Sequence, residues 1–364
     1  MRIAFRADAS TKIGTGHVIR CLTLADELAR NGHLCVFFVK NHEGNLNEYI
    51  SARGYEVREL EAAVNCNVDN FSCQYEAWLG WSWKSDIYAV ENLCLDETFD
   101  WVVVDHYALD AKWEKYFLAR GSKVLAIDDL ANRSHECSIL LDQNYGAEKG
   151  KYKKHLEGDV LLLLGSKYAL LRPEFYDARS RGILNKERGL KKLLINMGGV
   201  DQHNVTELVL RALSASSVAR TAELTVLVGA GYPYFLKLSQ FVEDSKLNIR
   251  LLQSASNVAE LMCEADLAIG AAGATTWERF SLGLPSILVS IAENQSDILS
   301  RLKKDGLVEA LDVDEIGSKL PLIVDGLSIE KLAFYSSKCA DVCDGRGAIR
   351  VVREIEALEG DKRF

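Results

Sequence analysis

Short apolar runs alternate along the first half of the chain with longer segments in which apolar positions recur every three or four residues. Ile3 to Phe5 and Leu34 to Val39 have the composition of buried strands. Between them, the spacing predicts a helix from His17 to Arg30 that ends at Asn31-Gly32. One face of this helix carries four apolar side chains, Val18, Leu22, Ala25 and Leu28. This alternation predicts βα units and a parallel sheet.

Two later apolar runs end in polar residues. Trp101 to Val104 is followed by Asp105-His106-Tyr107, and Val124 to Ile127 is followed by Asp128-Asp129. Side chains just beyond buried parallel strands commonly face a ligand. For Asp128-Asp129 a second interpretation stays open, because aspartate is also a favoured cap of the next helix.

The pattern restarts after a charged, glycine-containing stretch over residues 179–192, which we interpret as a linker. Further apolar runs then predict strands over residues 193–195, 224–228, 249–252, 267–269 and 286–289. Because 364 residues exceed one ordinary core, we predict two doubly wound, Rossmann-like α/β domains, residues 1–183 and 184–364. The C-terminal edges of their strands are expected to face an interdomain cleft.

Charge and composition narrow the classes of partner. The formal net charge of −9 argues against a nucleic acid or an anionic membrane. The chain lacks a run of about 18 apolar residues, so we expect no stable membrane insertion. Its 9 cysteines are odd in number and scattered, which favours buried thiols in a reducing cytoplasm over disulfides.

The first candidate site is the glycine-containing loop that enters the first helix, Gly14-Thr-Gly16-His17. Glycines let a backbone approach a ligand closely, and the first turn of a helix offers free N–H groups. The positive end of the helix dipole disfavours a protonated imidazole, so His17 has the character of a general base. Two plainer interpretations remain, a phosphate-binding loop and a surface histidine.

The second candidate site lies in the second half, where a strand runs into Gly270 to Thr276. The N–H groups of such a loop and its threonine hydroxyls suit a diphosphate. The carboxylate of Glu278, a short step further, can accept hydrogen bonds from both ribose hydroxyls. Gly198-Gly199 forms another close-approach turn. Tight packing explains Gly273 equally well alone, but the whole set favours a nucleotide site.

With these residues in view, the second half resembles the nucleotide-sugar domain of GT-B glycosyltransferases, notably the family that makes lipid II from lipid I. The N-terminal segment resembles the UDP-2,4-diacetamido-2,4,6-trideoxy-β-L-altropyranose hydrolases of pseudaminic acid biosynthesis. The narrower resemblance rests on Arg6-x-Asp8 through Gly-x-Gly-His17-x-x-Arg20, Ala77-Trp-Leu-Gly80, Val104-Asp-His-Tyr107, Asn196-Met-Gly-Gly-x-Asp201 and Glu293-Asn-Gln295. It covers most of the chain and weakens after about Leu311.

The resemblance implies a GT-B-like fold and hydrolysis of a UDP-sugar at C1 by water, with inversion. It implies that His17 activates the water and that Tyr107 and Asn294 bind the sugar or orient the water. The implied substrate-binding residues are Asp8, Gly14, Gly16, Arg20, Gly199, Gly273, Thr275, Thr276, Glu278 and Gln295. No cofactor or metal is expected, and we interpret Asp312-Val-Asp314 as a loop or cap.

The chain departs from the hydrolase pattern after Gly80, where it reads Trp-Ser-Trp-Lys instead of a Val-Ser-Gln-like run. Trp81 and Trp83 therefore belong either to a loop over the sugar or to an ordinary surface loop. Two other functions stay open, a GT-B glycosyltransferase and a non-catalytic nucleotide-sugar-binding protein. The expected partners are a UDP-sugar and water, and we expect a monomer.

Overall fold

The protein folds into two compact units, seen in a computed structural model. The first unit comprises Met1–Leu170 and Gly347–Phe364, and the second comprises Leu171–Arg346. The structure describes residues 1–61, 74–94, 97–184, 189–291 and 295–360.

The described part of the first unit contains one parallel sheet of seven strands in the order β3-β2-β1-β4-β5-β6-β7. The strands are β1 Arg2–Ala7, β2 Leu34–Lys40, β3 Glu56–Leu60, β4 Trp101–Asp105, β5 Lys123–Ile127, β6 Ile139–Asp142 and β7 Leu161–Leu164. The helices that precede the second unit are α1 Gly16–Arg30, α2 Asn47–Ala52, α3 Gln74–Leu79, α4 Trp83–Cys94, α5 Ala111–Ala119 and α6 Lys149–Tyr152.

Both faces of this sheet are buried. In β1, Ile3 and Phe5 belong to one hydrophobic core, whereas Ala4 belongs to the core on the opposite face. Burial on both faces explains the continuous apolar runs, since a parallel sheet is covered on both sides.

The strand order reverses at β1, which lies between β2 and β4. In the register of β1 and β4, Ala7 is paired with Asp105. The loop before α1 and the turn after β4 therefore start side by side at the carboxyl edge of the sheet. Ligands of doubly wound folds bind at such a switch point.

The second unit repeats the architecture with a parallel sheet of six described strands in the order β10-β9-β8-β11-β12-β13. These are β8 Lys192–Asn196, β9 Glu223–Val228, β10 Asn248–Gln253, β11 Leu267–Ala271, β12 Ser286–Ser290 and β13 Glu309–Asp312. Its helices are α7 Pro173–Leu184, α8 Val205–Leu213, α9 Phe235–Asp244, α10 Val258–Glu264, α11 Thr275–Ser281, α12 Ser296–Lys304, α13 Ile316–Asp325 and α14 Ile329–Val342. Its switch point lies between β8 and β11, where Asn196 pairs with Gly270.

The last helix, α15 Gly347–Gly360, returns to the first unit, so the division differs from the predicted one at residues 183 and 184. Its residues Val351 and Ile355 are fully buried in the same core as Ile3. Trp101 of β4 also donates from Nε1 to Glu359 at 3.1 Å. An amphipathic C-terminal helix carries no sign in its own sequence of which sheet it covers.

The predicted linker over residues 179–192 is also different, because its first part is helical and packed within the second unit. Arg179, in α7, donates to the carbonyl oxygens of Ser281, Ala340 and Cys343 at 2.6 to 2.8 Å. A Cβ atom on Gly182 would lie 2.8 Å from the Leu282 carbonyl oxygen. Arg179 and Gly182, which suggested a linker, therefore make close contacts within the second unit.

Candidate functional site

His17 occupies the first turn of α1 and contacts the carboxylate that ends β4. Its Nδ1 atom lies 2.6 Å from Oδ1 of Asp105, whose side chain is fully buried. Because an ionised carboxylate only accepts hydrogen bonds, Nδ1 carries the hydrogen of this pair. The lone pair of a neutral imidazole is then on Nε2, which is the arrangement a general base requires.

Arg20 lies one turn further along α1 and binds the same carboxylate with two nitrogens. Nε lies 2.5 Å from Oδ2 of Asp105, and Nη2 lies 2.6 Å from Oδ1. Burial tends to raise the pKa of Asp105, but Arg20 and His17 outweigh it and hold that pKa below its ordinary value. Asp105 is therefore a permanent anion that orients His17.

Tyr107 follows in the turn after β4 and packs its ring edge-on against His17, with the ring centroids 4.8 Å apart. Its hydroxyl donates to Oδ1 of Asp129 at 2.7 Å. Burial, followed by the charge of Asp129, raises the pKa of Tyr107 well above its ordinary value. Tyr107 is therefore a fixed phenol whose oxygen retains lone pairs for a further donor.

Two further aromatic rings extend this surface. Tyr75 and Trp78 of α3 have ring centroids 5.2 and 5.9 Å from that of Tyr107. Both side chains are half-buried. Next to the imidazole there is thus a partly exposed aromatic wall.

Asp8 has a different environment from the one implied by the resemblance. Its carboxylate is buried, pairs with Nη1 of Arg6 at 2.8 Å and accepts from the Lys40 backbone N–H at 2.8 Å. Burial tends to raise the pKa of Asp8, and Arg6 brings it well below the ordinary range. In this structure Asp8 anchors the end of β1 to β2, and substrate contact by Asp8 stays a prediction.

Trp81 is enclosed in the core of the first unit rather than placed in a surface loop. Its Nε1 donates to Asp86 at 3.0 Å, and the same carboxylate binds Arg6 through Nε and Nη2. The ammonium of Lys40 lies 3.6 Å from the centroid of the Trp81 ring. The departure from the hydrolase pattern at Trp81 therefore completes a buried polar cluster. Trp83 is the first residue of α4.

The two glycines of the first loop have different reasons to be glycine. Gly14 has a φ of 80°, a conformation that disfavours a side chain. Gly16 begins α1, and a Cβ atom there would meet nothing within 4 Å. Packing therefore does not require glycine at residue 16, and close approach of a ligand there stays a prediction.

In the second unit, Gly270 lies against a buried arginine. A Cβ atom on Gly270 would lie 1.9 Å from Nη1 of Arg279 and 2.6 Å from the Asn196 carbonyl oxygen. Arg279 donates through Nη2 to the Ala271 carbonyl oxygen at 2.7 Å and to Oγ1 of Thr276 at 3.2 Å. Burial lowers the pKa of Arg279 to about 10, which leaves it cationic at neutral pH. A buried positive charge thus lies against the loop that is predicted to bind the diphosphate.

The other residues predicted to bind the nucleotide lie at the end of this loop or after neighbouring strands of the same sheet. Thr275 begins α11, and Gln295, which follows β12, has its Nε2 atom 3.9 Å from the Cβ position of Gly273. Gly199 lies in close contact with Gly229. A Cβ atom added to Gly229 would lie 2.0 Å from the Gly199 carbonyl oxygen. Thr276 is buried beneath the loop. The predicted residue Asn294 lies outside the described residues.

Glu278 projects from α11 toward Arg172, whose Nη2 lies 3.6 Å from Oε1. Burial raises the pKa of Glu278, and Arg172 acts in the opposite direction. The carboxylate therefore has a cation beside it and one long contact, which leaves acceptor capacity for hydroxyl groups.

Four residues that the structure places at these sites were not among the predicted site residues. They are Asp105, Asp129, Arg172 and Arg279. Asp105 and Asp129 carried a signal, since each follows a buried strand. Arg172 and Arg279 carried none, because only three-dimensional packing shows what a lone arginine contacts.

Some chemistry can be tested within the described residues. No group of three His, Cys, Asp or Glu side chains there is arranged to hold a metal ion. None of the described helices is both long enough and apolar enough to cross a membrane. None of the seven described cysteines forms a disulfide, and six of them are buried. Asp312 caps the turn after β13 in a capping box with Glu315, as its interpretation as a loop or cap predicted.

Two parallel sheets covered by helices, each with a reversal of strand order, define a protein of the GT-B fold, as the sequence predicted. Solved structures agree. Acinetobacter baumannii MurG superposes with a TM-score of 0.65, covering 98% of this chain and 99% of its own at 15% identity. UDP-GlcNAc 2-epimerase from Neisseria meningitidis bound to UDP-GlcNAc gives a TM-score of 0.59 at 13% identity, covering 98% of this chain and 100% of its own.

Sequence comparisons narrow the class. Residues 193–331 match the glycosyltransferase family 28 C-terminal domain. The chain is 29% identical over 307 residues to the UDP-2,4-diacetamido-2,4,6-trideoxy-beta-L-altropyranose hydrolase of Campylobacter jejuni, covering 84% of this chain and 97% of that protein. The resemblance found from the motifs is thereby confirmed. The chain is similar to enzymes that act on nucleotide sugars.

Proposed function

We propose that this protein hydrolyses UDP-2,4-diacetamido-2,4,6-trideoxy-β-L-altropyranose, as a step of pseudaminic acid biosynthesis. The observation that carries the proposal is the buried pair of His17 and Asp105, joined at 2.6 Å. It provides an oriented base beside an aromatic wall at the switch point of the first unit. Similarity to the Campylobacter jejuni hydrolase over most of both chains supports the substrate.

In the proposed reaction, Nε2 of His17 takes a proton from water while the water oxygen forms a bond to C1 of the sugar. The bond between C1 and the UDP oxygen breaks, and UDP leaves with the bonding electrons, so that the configuration at C1 is inverted. Asp105 stabilises the imidazolium that forms. The phenol of Tyr107 and the amide of Asn294 are proposed to hold the sugar or the water.

The second unit is proposed to hold the UDP. Glu278 would accept hydrogen bonds from the ribose hydroxyls, and the loop from Gly273 to Thr276 would donate to the diphosphate. The cation of Arg279 supports this assignment, because it adds positive potential behind the loop. With the diphosphate charge stabilised in this way, the proposed reaction needs no metal ion.

A glycosyltransferase of the same fold is the second candidate. The match of residues 193–331 to the glycosyltransferase family 28 C-terminal domain is the observation that supports it. The two functions differ in the nucleophile, which is water in one and an acceptor hydroxyl in the other. A binding protein without activity would release no UDP at all.

The deciding experiment incubates purified protein with the UDP-sugar and measures UDP and free sugar, with and without candidate acceptors. Hydrolysis predicts equal amounts of UDP and free sugar without an acceptor, and no turnover by His17→Phe, which should still bind UDP. Release that requires an acceptor would reject hydrolysis in favour of transfer. In oxygen-18 water, label should enter the sugar, whereas label in UDP would reject attack at C1.

A further inference from the structure

Arg20 of the first unit directs two of its three guanidinium nitrogens at one buried carboxylate. Nε and Nη2 bind Asp105 at 2.5 and 2.6 Å, and Nη1 lies 3.8 Å from Oδ2 of Asp129. Only 9% of its side chain is exposed. The Nε and Nη2 donors of Arg20 are thus committed to Asp105 within the protein.

The same guanidinium lies close to the base. Nη2 of Arg20 is 3.2 Å from Nδ1 of His17, and both nitrogens donate to Oδ1 of Asp105. The two residues are three apart on α1, a spacing that places them on the same helix face. A second positive charge on the imidazole would therefore face an existing one across a single carboxylate oxygen.

Asp105 alone would have the opposite effect. A buried carboxylate 2.6 Å from an imidazole favours the protonated ring, which cannot accept a proton from water. Such a pair would be a poor general base at neutral pH. Something must offset the carboxylate charge while its orienting hydrogen bond is kept.

We propose that Arg20 is a positioning residue that offsets the charge of Asp105, so that His17 keeps its orienting hydrogen bond while remaining unprotonated at neutral pH. This role is separate from the substrate contact that the resemblance implied for Arg20, which stays a prediction. It rests on the proposed function only for its catalytic consequence, since the charge relationship exists in the free protein.

The surrounding groups fit this balance. The charged or titratable groups around His17 come from α1 and from the turns after β4 and β5, and they are Arg20, Cys21, Asp105, His106, Tyr107 and Asp129. Burial lowers the pKa of His106 to about 3 and raises that of Cys21 well above its ordinary value. Both groups are therefore neutral, as is Tyr107. The remaining charges are the Arg20 cation and the anions of Asp105 and Asp129.

The test follows the imidazole of His17 by nitrogen-15 NMR across pH in the substrate-free protein. In the wild type we expect a neutral ring at pH 7 with its hydrogen on Nδ1. In Arg20→Gln we expect the titration midpoint of His17 to rise by at least about one pH unit. In Arg20→Lys, which keeps the positive charge, the midpoint should rise by less. Arg30→Gln, at the exposed end of the same helix, is the matched control and should not change it.

Turnover gives a second readout. The acidic limb of the kcat/KM profile should move up with the NMR midpoint in Arg20→Gln, a loss of at least about tenfold on that limb, and the KM for the UDP-sugar should change little. An unchanged midpoint in Arg20→Gln would overturn the proposal. So would a charged ring in the wild type at pH 7, a test that stands even where Arg20→Gln fails to fold. A shifted midpoint in a protein that releases no UDP would support the charge relationship and reject the proposed hydrolysis.

Discussion

Arg279 lies directly beneath Gly270, so that a Cβ atom on the glycine would sit 1.9 Å from Nη1 of the arginine. Because Arg279 is itself buried and bonded to Ala271 and Thr276, it has no room to withdraw. Residue 270 of the predicted phosphate loop is thus a glycine because the Arg279 side chain leaves no space for a Cβ atom.

Gly270→Ala should therefore displace Arg279 and distort the loop. We expect the free energy of unfolding to fall by about 1–3 kcal/mol, the range for overpacked sites, and the Kd for UDP to rise at least about tenfold. Urea denaturation and calorimetric titration with UDP measure the two effects.

Gly317→Ala is the matched control, because a Cβ atom at residue 317 in α13 would meet nothing within 4 Å. Alanine also favours helix over glycine, so this variant should be as stable as the wild type or more stable. Equal UDP affinity in Gly270→Ala and Gly317→Ala would contradict the role given to the loop.

Asp105→Asn should test the orientation of His17. The asparagine amide cannot keep the imidazole in the same tautomer and cannot stabilise the imidazolium, so we expect kcat to fall by about 10²–10⁴ with a smaller change in KM. Steady-state UDP release measures both constants.

The control for Asp105→Asn is Asp110→Asn. Asp110 caps α5 by accepting from the Lys112 backbone N–H, a function that asparagine also performs. Thermal unfolding must show a folded Asp105→Asn protein, since the change also removes the anionic partner of Arg20. A folded Asp105→Asn enzyme with normal kcat would refute the dyad.

Tyr107→Phe keeps the ring against His17 and removes only the hydroxyl that donates to Asp129 at 2.7 Å. We expect kcat/KM to fall about tenfold, the cost of one lost hydrogen bond to the sugar or the water. A loss as large as that of Asp105→Asn would mean that the phenol takes part in the proton transfer.

Much of this fold was predictable from the sequence, because the runs that became β1, β4, β8 and β11 are buried on both faces and therefore nearly all apolar. The position of α15 was not predictable from the sequence, because an amphipathic helix can cover either sheet equally well.

Some residues of the candidate sites were also predictable from the sequence, and others were not. His17 and Glu278 carry side chains whose chemistry shows in the sequence, and each stands at a recognisable loop-to-helix junction. Asp105 was visible as a residue but not as a partner of His17, because residues 88 apart are brought together only by the register of β1 and β4. The two hydrogen bonds from Arg20 to Asp105 were not predictable either, because residues 85 apart in the chain meet only in the folded structure.

Removal of metal ions tests a different part of the proposal. If protein groups alone stabilise the leaving diphosphate, UDP release should continue at an unchanged rate after treatment with EDTA and exchange into metal-free buffer. Readdition of Mg²⁺ or Mn²⁺ should not increase it. Loss of activity that is restored by one of these ions would contradict the metal-independent reaction.

The pH dependence of stability should reveal the buried pair of His135 and Glu114, whose Nδ1 and Oε1 atoms lie 2.6 Å apart. Burial tends to lower the pKa of His135, but Asp128 and Glu114 outweigh it and raise it to about 9. Since this value lies above the ordinary histidine value of 6.5, the stabilisation is complete below about pH 6.5 and is lost as the pH rises through 9. We expect the free energy of unfolding to fall across this range by up to about 3 kcal/mol.

Urea denaturation at intervals from about pH 6 to pH 10 measures this decline in the wild type and in Glu114→Gln. The variant loses one of the two carboxylates that hold the proton on His135, so its decline should end at lower pH and be smaller. Subtracting the two curves removes the contribution of other groups that titrate in the same range. Parallel curves would mean that Glu114 does not help to hold the proton on His135 in the folded protein.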